Sequence, residues 1–205
     1  MGPETVLAVR ASELRHQVGG TGFHNLAGAE IMSTLQAAGV WFGPRAELEY
    51  DESFRQVVPY VVLRRADSVV SYLRSATGTE SRLHGLRSLG VGGHVNLGDV
   101  VHDDHHLNLG RTLEAAAGRE VAEEVGDVAV IGRRWVGILM SDSNAVSRVH
   151  VGVVAVWVLG DGGAIEPADR SVVDVTLVAP QRLDVSAYET WSAMLLTSGS
   201  AILEG

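Results

Sequence analysis

Residues 119–126 read Arg119-Glu120-Val121-Ala122-Glu123-Glu124-Val125-Gly126, and the rest of the chain is best read outward from them. Glu120, Glu123 and Glu124 stand at i, i+3 and i+4, so a helix carries all three carboxylates on one face. Leu113, Ala117, Val121 and Val125 form an adjoining apolar stripe that can turn toward a core. Thr112 offers an N-cap and Gly126 a stop, which predicts a helix over residues 113–125. Like charges at this spacing repel by roughly a few tenths of a kcal/mol per pair. A hard divalent cation relieves that repulsion by taking carboxylate oxygens as ligands, whereas a solvated acidic face is the other reading of the same spacing.

Upstream of the helix, the polar segment 94–110 reads as a loop that follows Gly92-Gly93, where the chain turns without a Cβ. Before it, residues 57–64 and 68–73 are β-branched runs separated by Arg65-Ala66-Asp67, the pattern of a hairpin. Downstream, residues 128–139, 148–159 and 171–178 read as strands, with a turn at Asp161-Gly162-Gly163 and a final helix over 185–196. The N-terminal section reads as a strand over 5–10, a loop at Gly19-Gly20-Thr21-Gly22 and a helix over 27–38. This order predicts an α/β fold of the α+β kind, a mixed sheet sandwiched by helices. Residues 1–50 are expected to be an N-terminal extension, strand plus helix, packed on a main domain over 51–205.

Composition narrows the chemistry. The 205 residues carry a formal net charge of −9, the wrong sign for general attraction to nucleic acid or an acidic membrane. There is no cysteine, hence no disulfide, thiolate metal site or thiol nucleophile. Pro3 and Glu4 beside a short apolar run do not read as a secretion signal, so a soluble cytoplasmic protein is expected. No Gly-x-Ser-x-Gly elbow and no P-loop lysine are present.

The stretch 119–126 resembles the second half of the Nudix hydrolase box, which reads Gly, five residues, Glu, seven residues, Arg-Glu-apolar-x-Glu-Glu-x-Gly. Gly92-Gly93-His94-Val95-Asn96-Leu97-Gly98-Asp99 is similar to the first half, with Asp99 at the position of the first glutamate. Residues 100–118 then separate the halves where the family has seven residues; a second alignment keeps the seven but puts Arg111 in place of the acid. Similarity to a branch of predicted Nudix phosphoesterases extends over residues 54–62, 83–96, 142–152 and 189–192.

The resemblance implies a Nudix-type fold and a metal-dependent hydrolase cleaving a phosphoanhydride bond in a nucleoside-diphosphate-linked substrate, an X-linked diphosphate. It implies Mg2+, with Mn2+ as a substitute, held by Glu120, Glu123, Glu124 and the carbonyl of Gly92. Glu123, Glu124 and Arg119 are the implied catalytic residues, with Arg119 orienting carboxylates rather than touching substrate. Arg87, His94 and Arg148 are the candidates for binding a small-molecule phosphate substrate, chosen from a set that also held Arg74, Arg82 and His150. The expected assembly is a homodimer. The alternative is a ligand-binding or regulatory module of the same fold whose interrupted box has lost catalysis. His102-Asp103-Asp104-His105-His106 reads as a polar surface loop, or else as a zinc or manganese site.

Overall fold

Phe54 to Arg65 alternates so that Val57, Val61 and Leu63 fall on one face and Tyr60 and Val62 on the other. In the computed structural model, which describes residues 3–75, 85–162, 165–170 and 172–198, this run is the spine of a ten-stranded mixed sheet. The spine, β4 (Phe54–Arg65), is buried on both faces, which is why it reads as a nearly continuous apolar run. β11 (His150–Leu159) lies parallel to it, from His150↔Gln56 to Val158↔Arg64. β10 (Val130–Met140) runs antiparallel to β11, and β2 (Gly22–Asn25) extends β10.

On the other side of the spine, β5 (Ser68–Arg74) leaves β4 through a turn at Ala66, where φ is 49°. β12 (Val172–Val178) pairs along its outer edge. β4 and β5 pair at Arg64↔Val69 and Arg65↔Ser68. Further along, β6 (Arg87–Ser88) pairs with β5 while β7 (Gly90–Val91) pairs with β4. The glycine pair that follows β7 is therefore delivered to the place where the two long strands have parted.

Helices cover both faces. α4 (Leu109–Val125) lays Leu113, Ala117, Val121 and Val125 on the Val57–Leu63 face, beside Leu14 of α1 (Ala11–Val18) and Ile31 of α2 (Gly28–Ala37). α6 (Thr190–Ser198) packs Leu195 and Trp191 on the Tyr60–Val62 face. The fold is a mixed sheet sandwiched by helices.

Several local expectations shift. α4 begins four residues early because Asn108 caps it, accepting from the backbone N–H of Arg111 at 2.9 Å. Thr112 instead accepts from the N–H of Val101, tying the loop to the helix. The segment 94–110 contains a single 3-10 turn (Leu97–Asp99) and a hairpin of β8 (His102–Asp103) and β9 (His106–Leu107). Residues 1–50 carry more than a strand and a helix. β1 (Thr5–Arg10) pairs with the start of β4, β3 (Trp41–Pro44) pairs with β1, and α3 (Arg45–Leu48) follows. The final helix runs over Thr190–Ser198, preceded by a 3-10 turn at Val185–Ala187. Arg82, Leu83, His84, Gly163 and Ser171, which figured in sequence readings, lie outside the described residues.

Candidate active site

Asp99 and Arg119 are twenty positions apart, yet they form a two-pronged ion pair. Arg119 Nε donates to Asp99 Oδ1 at 2.9 Å and Nη2 to Oδ2 at 2.8 Å. Arg119 also donates to Glu120 Oε1 at 2.6 Å and to the carbonyl of His94 at 2.9 Å. Asp99 Oδ2 accepts in addition from the N–H of Asn96. Burial raises the Asp99 carboxyl, but Arg119 and that N–H together hold it below its ordinary value. Asp99 thus braces the glycine loop against α4, as the first of the two alignments requires. Arg111 pairs with Asp103 on the surface instead.

The three glutamates differ sharply. Glu120 is largely buried, and a Cβ added to Gly93 would displace its carboxylate, so glycine there leaves the carboxylate its present place against the loop. Gly92 is held just as tightly against the Pro59 carbonyl. Burial pushes the Glu120 carboxyl upward despite its Arg119 partner. Glu124 is pushed up to about 7, by burial first and then by repulsion from Glu120, with Arg74 opposing. The nearest side-chain donor to it among the described residues is Tyr72 Oη, 3.4 Å away, whose single proton goes to the Gly90 carbonyl at 2.6 Å. Glu123 is exposed, 3.5 Å from Arg119 Nη1.

Beside this corner lies a cavity of about 430 Å³, bounded by Gly92, Gly93, His94, Arg74 and the aromatic pair Tyr60 and Trp191. Those two rings meet edge to face at 5.5 Å. Tyr60 Oη donates to Glu189 Oε1 at 2.6 Å, and Glu189 also accepts from Ser192 Oγ and from the N–H groups of Trp191 and Ser192. A third wall comes from the segment 144–150, fixed from behind by the buried Arg55. Its Nη1 donates to the carbonyls of Ser141, Ser147 and His150, and its Nη2 to Asp142. His150 Nδ1 must donate to the Val146 carbonyl at 2.8 Å, so its Nε2 accepts from His94 Nε2, 3.1 Å away. Burial first, then Arg45, His150 and Arg119, pushes His94 down to about 3, leaving a neutral ring on the cavity wall.

This geometry gathers Gly92, His94, Arg119, Glu120 and Glu124 at one corner, with Glu123 on its rim. It does not gather Arg87 or Arg148. Arg87 is committed to Ser71, Asp174 and Thr176, where it ties β5, β6 and β12 together. Arg148 pairs with Glu52 at the surface. The cation on the cavity wall is Arg74, and the strand alternation that places it on one face with Tyr72 was the signal that could have found it. His150, one of the sequence candidates, does reach the cavity wall, whereas Glu189 carried no comparable signal because its tie to Tyr60 spans 129 positions.

The chain is 32% identical to Protein YmaB of Bacillus subtilis (strain 168) over 173 residues, 82% of each protein. The crystal structure of Tm1382, described as a candidate Nudix hydrolase, matches 95% of this chain and 97% of its own with a TM-score of 0.78 and 28% identity. The chain belongs to the Nudix hydrolase family. DR0079 from Deinococcus radiodurans shares the fold alone, with a TM-score of 0.50 and 16% identity over 71% of this chain and 83% of its own. No family model matches the chain. As a member of that family it is a hydrolase. Among the described residues, no helix is long and apolar enough to cross a membrane.

Nudix hydrolases generally use divalent metal ions. Among the described residues, no three His, Asp or Glu side chains already stand as a metal-holding group. The donor set at the corner nevertheless fits a hard cation. Glu120 and Glu124 are two mutually repelling carboxylates with too little countercharge, set one turn apart against a bare glycine backbone. The exposed hairpin at 102–107 shows no such convergence; Asp103 there pairs with Asn108 and Arg111.

Proposed function

We propose that the protein is a magnesium-dependent hydrolase, with manganese able to substitute, that cleaves the phosphoanhydride bond of a nucleoside-diphosphate-linked substrate. The observation that carries this reading is the under-neutralised pair Glu120 and Glu124 beneath Gly92-Gly93, braced by Asp99 and Arg119. Glu120 and Glu124 would hold the ion, with Glu123 and the Gly92 carbonyl as further oxygen donors. When bound, magnesium supplies charge neutralisation at phosphate oxygens and a more acidic water. Where it is not a ligand, Glu123, exposed on the rim, would be the base that orients the attacking water. Arg119 keeps Asp99, Glu120 and the glycine loop in register and does not touch substrate. The cavity shelters the group attached to the diphosphate from water. The reading also takes the protein to be a cytoplasmic homodimer, and light scattering of the purified protein checks the assembly.

The test is release of phosphate or mononucleotide from a panel of nucleoside diphosphate derivatives, with and without magnesium. Glu124→Gln is expected to lower magnesium-dependent turnover by roughly a hundredfold or more while the protein stays folded. Undiminished hydrolysis by that variant refutes the assignment. Ligand-induced stabilisation without turnover on any substrate would instead favour a binding module of the same fold.

A further inference from the structure

Arg74 is an unusual cation. Its guanidinium lies largely buried where β5 ends, between the glutamate corner and the cavity. Of its five N–H donors, the hydrogen bond made among the described residues runs from Nη2 to Tyr72 Oη at 2.9 Å. Its Nε is buried with no hydrogen-bond partner among the described residues. The Tyr72 hydroxyl gives its own proton to the Gly90 carbonyl at 2.6 Å and lies 3.4 Å from Glu124 Oε2. Glu124 and Arg74 therefore attract each other across Tyr72 without forming an ion pair. A buried guanidinium with unmet donors is costly unless something arrives to accept from it. Its fork matches the oxygens of a phosphoryl group.

The surroundings limit what that group can carry. Among the described residues bounding the cavity, Arg74 is the sole lysine or arginine. Glu189 adds a negative charge already saturated by its four donors. Val58, Leu86, Val146 and the Tyr60–Trp191 pair give the wall its apolar and aromatic part, while Ser88, Asn144, Ser147, His150 and Thr190 add polar atoms. A third or fourth phosphate entering this space would meet no further lysine or arginine among the described residues that bound it.

Building on the function proposed above, we propose that Arg74 is the phosphoryl-binding residue of the site. The cavity beyond it takes one compact, uncharged, ring-bearing group, so the enzyme prefers diphosphates over triphosphates and longer chains.

Two measurements test this. Inorganic pyrophosphate with magnesium is expected to raise the melting temperature of the wild-type protein, and Arg74→Gln to abolish that rise. In turnover, Arg74→Gln is expected to raise KM for a nucleoside diphosphate roughly tenfold to a hundredfold with a smaller change in kcat. Arg74→Lys, which keeps the charge and loses the fork, should fall between, and circular dichroism confirms that each variant is folded. Wild-type kcat/KM for a nucleoside triphosphate should lie roughly tenfold or more below that for the matching diphosphate. The proposal is overturned if the wild type shows no pyrophosphate response, or if Arg74→Gln keeps that response. It is equally overturned if triphosphate and diphosphate are cleaved equally well. Should the wild type hydrolyse no substrate, the proposed function fails by itself, and the pyrophosphate response still decides the role of Arg74.

Discussion

Two carboxylates, Glu189 on the cavity wall and the partly buried Glu124 at the neighbouring corner, are treated in opposite ways. Glu189 accepts from Tyr60 Oη, Ser192 Oγ and two backbone N–H groups at the start of α6, so every lone pair that matters is met. Glu124, on α4, has only the Tyr72 hydroxyl at 3.4 Å and an arginine that does not reach it, and burial lifts its carboxyl to about 7. The first arrangement stabilises a charge for the sake of the fold. The second leaves a charge in want of a partner, which is the condition expected of a group that binds something the folded chain does not itself supply.

Exchanging each carboxylate for its amide isostere in metal-free buffer breaks this comparison most directly. Glu189→Gln sets an amide N–H against donors it cannot accept from and is expected to cost about 2–4 kcal/mol. That should appear as a fall in melting temperature of roughly 5–12 °C for a chain of this size. Glu124→Gln removes an ill-compensated charge and should leave the melting temperature unchanged or raised. Equal losses in the two variants would show that Glu124 is as structural as Glu189.

What could be read in advance follows from the range of each interaction. The glutamate face of α4, the β4–β5 hairpin and the layering of sheet and helices were legible because periodicity and turn chemistry are local. Asp99 was legible only as a motif position; that it crosses nineteen intervening residues to grip Arg119 depends on where the β8–β9 hairpin carries the excess chain. The short α1, β2 and β3 went unread because each owes its state to tertiary partners: β2 to β10, β3 to β1 and α1 to Leu14 in the core. Arg87 and Arg74 illustrate the same limit. Sequence offered both as cations for a phosphate pocket and favoured Arg87, and only the pairing of β5 with β6 and β12 decides that Arg87 is bound by Asp174 while Arg74 faces the cavity.

Asp99 sharpens the comparison, being a well-supplied acid whose donors serve the site itself. Asp99→Asn replaces one oxygen of the Arg119 fork with an N–H group that repels it. Arg119 would then hold Glu120 and the His94 carbonyl less firmly. The expected result is a fall in magnesium-dependent kcat/KM of roughly tenfold to a hundredfold, the size typical of residues that orient metal ligands. The magnesium concentration at half-maximal rate should rise with it. An unchanged magnesium requirement would mean that the glycine loop holds its place without the brace.

The smallest effect belongs to Asp142, which lies far from the glutamates and shares the generous supply seen at Glu189. Arg15, Thr21 and Arg55 all donate to it, and it ties α1 and β4 to the segment that bounds the cavity. Arg15 and Arg55 hold its carboxyl down to about 2 against a mild upward push from partial burial. The folded state therefore binds this proton less readily than the unfolded chain. Its stabilisation is fully present above the ordinary carboxylate pKa of about 4 and is lost as pH falls through about 2. Because the carboxylate is partly exposed, solvent screening keeps the size of that loss modest. Melting temperatures of wild type and Asp142→Asn measured from pH 5 to pH 2 should converge as the acid limit is approached, since the variant has no proton to gain there. Curves that stay parallel would mean that Arg55 alone, through the carbonyls of Ser141, Ser147 and His150, holds this wall in place.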